Sequence, residues 1–299
     1  MSLAIPAPVR SDNLRGILAM LAAMGSLIVN DAFIKLAAAE LPAGEAIFLR
    51  GLFTTLLCAG MVAATAGPGA LRQVSSRGVP ARAVAEVVAT FLYLNALFNM
   101  PIADATAILQ FTPLAITAGA ALFLGAPVGW RRWLATVIGL IGVLVIVRPF
   151  GEGFNPHSAL ALAAVVFVAA RDLLVRRVSP SVPALVIATA SAAAVTVASL
   201  GFAAFETWRV PSADILLLVI GASFGLVGGY YWIIIAMRSG EIAVVAPFRY
   251  SIILYAVLAG TIVWGEMPDT ASWTGIAIVT AAGLYTFVRE RKLAKAAGA

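Results

Sequence analysis

Ten long apolar runs divide the chain, and short breaks containing proline or glycine separate one run from the next. Each run has about the 20 residues that an α-helix needs to cross the hydrocarbon core of a bilayer. A barrel strand would instead alternate apolar and polar residues. The pattern therefore predicts ten membrane-spanning helices, at residues 14–38, 45–66, 82–99, 102–124, 131–149, 158–177, 183–206, 212–237, 242–264 and 271–290.

The composition agrees with a polytopic membrane protein of the all-α class. The 299 residues are 62% hydrophobic and 11% charged, with a mean hydropathy of +1.01, whereas soluble domains have about 25% charged residues. The single Cys58 excludes an internal disulfide, and the lone His157 is expected in a loop. We therefore expect no metal, no cofactor and no catalytic residue.

The positions of the charged residues predict the orientation of the helices. If the N-terminus is cytoplasmic, fifteen of the 20 Lys and Arg residues lie on that side, in agreement with the positive charge of cytoplasmic loops. They are Arg10, Arg15, Arg72, Arg77, Arg82, Arg131, Arg132, Arg171, Arg176, Arg177, Arg238, Arg289, Arg291, Lys292 and Lys295. Orientation thus explains the net charge of +6 without a nucleic-acid partner. Glu40, Glu45, Glu266 and Asp269 are expected on the opposite side as solvated loop charges.

A repeat becomes visible when the chain is compared with itself at an offset of about 140 residues. Residues 96–144 fall on residues 236–284 without gaps, and Trp133 falls on Trp273 although the chain has only 6 tryptophans. The first span of each half agrees at an offset of about 141. Because each half contains five spans, the second half is inverted in the membrane relative to the first.

The repeat divides the chain into four parts. Residues 14–149 are predicted to form the first five-helix repeat, and residues 158–290 the inverted second repeat. Cytoplasmic tails are expected at residues 1–13 and 291–299. Inverted repeats are typical of carriers that expose a site near the bilayer midplane to each side in turn.

Six short motifs occur along the chain. They are Asn30-Asp31-x-x-x-Lys35, Leu41-Pro42, Phe48-Leu49-Arg50, Ala103-Asp104-Ala105, Glu241-Ile242-Ala243 and Trp264-Gly265-Glu266. In this order and spacing, over almost the whole chain, they resemble the drug/metabolite transporter superfamily in its EamA branch. Within that branch the chain is most similar to YddG-type exporters of aromatic and other amino acids.

This resemblance implies a bacterial inner-membrane transporter that exports amino acids of broad range by alternating access. A nucleotide sugar, a sugar phosphate or a drug is the alternative ligand, because the fold alone does not fix the substrate. An integral membrane enzyme or a channel would need clustered polar groups that the sequence lacks. One chain carries both repeats, so a monomer is expected in the lipid bilayer.

Arg249 is expected to be the charged residue deepest in the membrane. A charge near the bilayer centre costs roughly 2.5–3.5 kcal/mol on insertion scales, so the guanidinium should face a partner or a wet cavity. It could bind a substrate carboxylate through two hydrogen bonds, and a structural ion pair is the alternative. Phe248 and Tyr250 flank it, and Gln110 is the residue aligned with Tyr250.

Other candidate substrate contacts lie in the third and eighth predicted spans. Tyr93 and Asn95 are two positions apart and point to different sides of a helix, so only one should line the cavity. Hydrogen bonding to another helix is the alternative for the asparagine. Tyr230, Tyr231 and Trp232 lie inside their span and are candidates for an aromatic wall. The cavity is expected between the third, fourth, eighth and ninth spans.

Proline and glycine residues mark candidate hinges. Pro113 and Pro247 interrupt spans at matching positions of the two halves, which is the pattern of discontinuous helices around a transport site. Gly225, Gly228 and Gly229 provide a small-residue face for close helix packing, with some capacity to flex.

Overall fold

The computed structural model describes residues 13–126, 128–149, 154–239 and 241–297. This part of the chain contains no strand, and ten of its helices are long and apolar enough to cross a membrane. Spans 1 to 10 are Asn13–Ala37, Ala43–Ala66, Val79–Asn99, Ile102–Leu124, Trp130–Val147, Pro156–Arg177, Ala184–Ala204, Ala213–Ser239, Ala246–Trp264 and Thr270–Arg289. The prediction of an all-α protein with ten spans is confirmed.

Two details at the helix ends differ from the sequence predictions. The last helix continues to Ala297, into the predicted C-terminal tail, whereas residues 1–12 of the predicted N-terminal tail lie outside the described residues. His157 lies in the first turn of span 6 rather than in a loop. The Oδ1 atom of Asn155 accepts its backbone N–H at 2.9 Å and so caps the helix.

Equivalent residues of the two halves begin and end equivalent helices. Pro42 and Pro183 directly precede spans 2 and 7. Gly125 and Gly265 end the helices of spans 4 and 9 with φ angles of 63° and 67°, a left-handed conformation that glycine adopts without steric cost. The chain therefore repeats its turns as well as its apolar runs.

Helix packing follows a pseudo-two-fold symmetry in which spans 1–5 correspond to spans 6–10. Span 1 packs along span 8, and span 6 packs along span 3 in the equivalent way. Span 2 packs on its own equivalent, span 7, and span 5 packs on span 10. Because five spans reverse the direction of the chain, the fold consists of two inverted five-helix repeats.

Glycines of span 8 allow its backbone to approach span 1. A β-carbon on Gly225 would lie 2.8 Å from the carbonyl oxygen of Ser26 and 2.9 Å from the nitrogen of Asn30, and one on Gly229 would overlap Leu27. Gly228 has more room. The predicted close-packing face is therefore formed by Gly225 and Gly229, and it brings span 8 against the Asn30 turn of span 1.

Spans 4 and 9 are interrupted where the sequence places their prolines. The helix of span 4 breaks at residues 110 and 111 and resumes at Thr112, one residue before Pro113. Span 9 starts as a 3₁₀ turn, Ala246–Tyr250, which contains Pro247 and becomes α-helical at Ser251. Proline lacks the N–H that a continuous helix needs at these points. A hinge role for Pro113 and Pro247 stays a prediction.

The helical bundle has two ends, the Arg82 end and the Glu266 end, each called after a residue that lies there. The Arg82 end is where spans 3 and 7 begin and span 2 ends. The Glu266 end is the opposite one, where spans 1 and 9 end and span 2 begins.

Candidate functional site

A cavity of about 410 Å³ lies among spans 2, 3, 6, 7 and 8 and extends from the middle of the bundle toward the Arg82 end. Its wall is mostly apolar. The polar side chains on it are Arg50, Thr54, Arg82, Glu86, Thr90, Arg171, Ser191, Tyr230 and Tyr231. An apolar cavity of this size with a few polar groups is typical of a small-molecule site. The expected cavity between spans 3, 4, 8 and 9 is thus displaced toward spans 2, 6 and 7.

Arg50 closes the end of this cavity that lies in the middle of the bundle, called the inner end below. The residue is only 8% exposed, and its Nη1 atom donates to Oδ1 of Asn30 at 3.3 Å. Its Nε atom has no hydrogen-bond partner in the described part of the chain. Ser223 of span 8 donates its hydroxyl to the Arg50 carbonyl oxygen at 3.1 Å, which fixes the backbone. The cavity therefore ends at a buried guanidinium with a free donor.

Asp31 lies in a buried polar network behind Arg50. Its carboxylate accepts a hydrogen bond from Nδ2 of Asn30 at 2.7 Å and another from the hydroxyl of Tyr93 at 2.6 Å. Buried polar groups need such partners because the interior does not replace the water that they lose. Since Asn30 also accepts from Arg50, one set of hydrogen bonds joins spans 1, 2 and 3.

A charged cluster lies nearer the Arg82 end of the cavity. Nη1 of Arg171 donates to the two carboxylate oxygens of Glu86 at 2.9 and 3.1 Å, and Nε of Arg171 donates to Asp172 at 2.9 Å. Arg82 lies 3.6 Å from Glu86 and donates to the hydroxyl of Ser191 at 2.6 Å. These contacts hold the cationic side chains of span 3 and span 6 on partners within the protein.

The Glu266 end is closed by contacts between loops and helix ends. Nζ of Lys35 donates to the carbonyl oxygen of Met100 at 2.7 Å and to Oε1 of Glu266 at 3.2 Å, and it lies 4.8 Å from the centre of the Trp264 ring. Glu266 also accepts the backbone N–H of Ile102 at 3.3 Å. Span 1 is thereby tied to the loops that follow spans 3 and 9.

The prediction of solvated acidic residues at this end was wrong for Glu45 and Glu266, whereas Asp269 is exposed in a loop as predicted. Glu45 is 4% exposed and accepts the backbone N–H of Arg209 at 3.1 Å. Asp269 accepts a hydrogen bond from Arg148, which lowers the pKa of this carboxyl to about 2. These acids connect neighbouring loops because basic and backbone donors from other spans converge on them.

Equivalent residues of the two repeats are arranged differently at the two ends of the bundle. Phe91 and Phe202 stack near the Glu266 end, with ring centroids 4.8 Å apart. Their repeat equivalents, at offsets of 140 and 141, are Tyr231 and Met61. Both of these side chains line the cavity. One symmetric pair is therefore packed together while the other borders open space.

The structure brings some of the predicted contact residues to the cavity and not others. Tyr230 and Tyr231 line it, as the aromatic-wall prediction expected. Trp232 makes an edge contact with Tyr231, at a centroid distance of 5.5 Å, but is not part of the wall. Tyr93 lies outside the wall and binds Asp31, while half-buried Asn95 does not reach it.

The predicted cluster around Arg249 lies apart from this cavity. Phe248 and Arg249 are exposed at the start of span 9, and neither lines the wall. Tyr250 packs on Gly283 of span 10, where a β-carbon would overlap its hydroxyl. Gln110 is buried at the break in span 4, and its Nε2 atom has no partner among the described residues. Arg249 is thus less buried than Arg50, contrary to the sequence expectation.

Sequence reasoning missed Arg50, Asp31 and Glu86 as parts of one polar axis through the bundle. The available signal was the presence of charged residues inside three apolar runs, at positions where a lipid-facing side chain would be costly. Their proximity depends on how spans 1, 2 and 3 pack together, which local sequence does not specify.

The comparison with protein families identifies the kind of protein. The model of the EamA-like transporter family matches residues 14–148 and again residues 157–288. The chain belongs to the EamA-like transporter family. Its assignment to the drug/metabolite transporter superfamily agrees with the resemblance seen in the sequence. Each half of the chain carries one EamA unit, which agrees with the symmetric packing of spans 1–5 and 6–10.

Individual relatives in the EamA-like family carry different ligands in their names. A riboflavin transporter of Vibrio cholerae is 32% identical over 195 residues, which are 64% of this chain and 65% of that protein. An S-adenosylmethionine uptake transporter of Rickettsia prowazekii is 25% identical over 281 residues, 93% of this chain and 94% of that protein. A pseudopaline exporter of Pseudomonas aeruginosa is 28% identical over 276 residues, 89% and 94% of the two chains.

The extent of these likenesses limits what they establish. The chain spans 65% of the length of the riboflavin transporter that it matches. A solved crystal structure with 22% sequence identity covers 92% of this chain and 98% of its own, at a TM-score of 0.62, and it supports the fold alone. These comparisons therefore establish the family and the fold of the chain.

Proposed function

We propose that this chain is a secondary transporter that exports amino acids, aromatic ones among them, by alternating access around the central cavity. The observation that carries the proposal is the difference between two pairs of equivalent residues. Phe91 and Phe202 are stacked, while Tyr231 and Met61 border the cavity. If the two repeats exchanged conformations, the second pair would close and the first would open, which moves the opening of the cavity to the other end.

Paired cysteines test this alternation, in a chain whose Cys58 is replaced by alanine. Oxidation of the F91C/F202C pair is expected to be fast, because the two rings are already in contact, and to abolish transport until a reductant is added. The M61C/Y231C pair should cross-link more slowly, since its closure requires the opposite state. Full transport by the oxidised F91C/F202C protein would contradict alternating access.

The apolar wall supports aromatic and other apolar amino acids as substrates. Its polar groups are few, and the aromatic rings of Tyr230 and Tyr231 can contact a flat side chain. Counterflow into liposomes that contain the purified protein, with labelled phenylalanine, tryptophan, methionine and threonine, tests the substrate. The amino-acid proposal fails if none of the four moves in a saturable way.

A different metabolite is the second candidate, and the names of the relatives favour it. Riboflavin and S-adenosylmethionine therefore belong in the same counterflow experiment. A nucleotide sugar or sugar phosphate has less support, because the other cavity cations, Arg82 and Arg171, already bind Glu86 or Ser191. Saturable movement of riboflavin alone would replace the amino-acid proposal while leaving the transport mechanism in place.

We further propose that the protein acts as a monomer in a bacterial inner membrane, with both termini and the Arg82 end in the cytoplasm. Fifteen of the 20 Lys and Arg residues lie on this side of the predicted topology, which supports that orientation. In the proposed orientation the cavity faces the cytoplasm, the side from which an exporter loads its substrate. A reporter fused to the C-terminus tests the orientation, since it should be active only if the C-terminus is cytoplasmic.

A further inference from the structure

We infer that Arg50 binds a carboxylate group of the transported substrate at the inner end of the cavity. This inference rests on the proposed transport function and specifies the chemistry of its ligand. The sequence favoured Arg249 for that role, but Arg249 is exposed at the start of span 9 and does not line the cavity.

The first argument is the unfilled hydrogen-bonding capacity of Arg50. A guanidinium has five N–H donors. In the described structure its side chain makes one hydrogen bond, the 3.3 Å contact from Nη1 to Asn30, and Nε has no partner. A cation buried to 92% and left short of acceptors is costly unless an anion joins it.

Asp31 does not satisfy this need. Its carboxylate oxygens accept from Asn30 and Tyr93, and it forms no ion pair with Arg50 among the described contacts. Asp31 holds the Asn30 amide, which in turn holds one side of the guanidinium. The network therefore positions Arg50, and its guanidinium reaches the cavity wall with donors that no described residue accepts.

The other cationic side chains of the cavity are already engaged. Arg171 donates to both oxygens of Glu86 and to Asp172, and Arg82 donates to Ser191. Ser191 is also the repeat equivalent of Arg50, at an offset of 141. The second half of the chain thus supplies no counterpart guanidinium. The Nε atom of Arg82 also lacks a hydrogen-bond partner, but Arg82 lies 3.6 Å from Glu86. Among the described ion pairs of the cavity arginines, Arg50 alone has no carboxylate partner.

The remainder of the cavity sets the shape of the ligand. Cys58, Val195 and Leu226 are among the apolar side chains that line the cavity, and they suit an apolar body. Glu86 precedes Tyr93 by seven residues, about two helical turns or roughly 10 Å toward the Arg82 end. A compact carboxylate with an apolar side chain fits this arrangement, with the Glu86 cluster nearer the Arg82 end.

A pair of matched ligands tests the inference on the unmodified protein. L-Phenylalanine and its neutralised analogue L-phenylalaninamide differ at the carboxylate and share the apolar body. In counterflow competition with the labelled carboxylate that the protein moves best, the amide is expected to compete roughly ten- to a hundred-fold less well, as for the loss of a hydrogen bond to a charged group. Equal competition by acid and amide would overturn the inference.

Substitutions then assign the effect to Arg50. R50Q should weaken competition by the acid roughly ten-fold or more and leave that of the amide within about two-fold, while R50K should retain part of the preference. R249Q is the matched control, and its acid-to-amide ratio should equal that of the unmodified protein. If R50Q does not fold, the acid-to-amide preference of R50K still tests the inference. It should be smaller than that of the unmodified protein, because a lysine cannot reproduce the planar fork of donors.

The outcomes separate the inference from the proposed function. Movement of riboflavin, which has no carboxylate, without movement of any carboxylate would leave transport intact and refute the role of Arg50. A reduced acid-to-amide ratio in R249Q but not in R50Q would refute it as well. If no solute moved, the proposed function itself would fail.

Discussion

Thr55 of span 2 and Thr196 of span 7 bring their hydroxyl oxygens within 3.4 Å of each other. The two threonines are 141 positions apart, the offset that relates the first spans of the two repeats. Each hydroxyl also bonds the carbonyl oxygen four residues earlier, that of Gly51 at 2.7 Å and that of Ala192 at 2.8 Å. A contact between equivalent residues lies on the symmetry axis. Spans 2 and 7 therefore cross at the axis, and the cavity opens beside this crossing.

The close approach of span 8 to span 1 predicts different effects for two glycines on the same helix. G225A places a methyl group against the backbone of Ser26 and Asn30, so we expect a loss of about 1–3 kcal/mol of stability from overpacking. G228A meets only the Ser26 hydroxyl at 3.8 Å and should be neutral or slightly stabilising. Thermal unfolding of both variants in detergent measures the difference. A Tm for G225A equal to that of G228A would show that the contact is not tight.

Loss of the Lys35–Glu266 ion pair is expected to open the Glu266 end of the bundle. E266Q removes the anion from a lysine that is only 8% exposed, so the contacts from span 1 to the two neighbouring loops should weaken. In a chain without Cys58, a cysteine in place of Met100, which is buried at this end, should react roughly ten-fold faster with an impermeant maleimide after the change. E40Q is the control because Glu40 is exposed at the same end. Equal labelling of the two variants would refute a closing role for the pair.

The contact between Arg148 and Asp269 is expected to make the stability of the fold slightly dependent on pH. The hydrogen bond from Arg148 lowers its pKa from 3.8 to about 2 in the folded protein. Because the folded form binds the proton less tightly, the contact stabilises the fold above the unfolded pKa, and the effect is lost as the pH falls from about 4 to about 2.

The size of that effect follows from exposure. The Asp269 side chain is 56% exposed, so we expect less than about 1 kcal/mol and a further decrease at high salt. D269N is a suitable comparison, since asparagine can still accept from the backbone N–H of Ser272. The Tm difference between the two proteins should narrow as the pH falls from 6 to 2. A constant difference over this range would mean that the charge does not contribute.

The sequence was sufficient for the fold because its signals are local and repeated. The apolar runs give the spans, and pairs such as Pro42 with Pro183 and Gly125 with Gly265 give equivalent helix ends. Each of these signals acts within a few residues of the chain. The two matches to the EamA-like family cover the same two halves.

The site was less predictable because burial within a bundle depends on distant segments. Arg50 is the eighth residue of span 2. It is buried because Gly225 lets span 8 approach Asn30, and because Asn30 then meets its guanidinium. Tyr230 and Tyr231 were candidates because they lie inside their span, and both line the cavity.

Tyr93 predicts that the network behind Arg50 also stabilises the fold. Y93F keeps the ring and removes the hydroxyl that donates to Asp31 at 2.6 Å. The buried carboxylate would lose one of its two hydrogen bonds, and an unsatisfied buried group costs about 1–3 kcal/mol. We therefore expect a lower Tm for Y93F, whereas Y285F, at a half-exposed position on span 10, should change stability by less than about 0.5 kcal/mol. Thermal unfolding at neutral pH measures both variants, and a Y93F protein as stable as Y285F would mean that Asp31 does not depend on this donor.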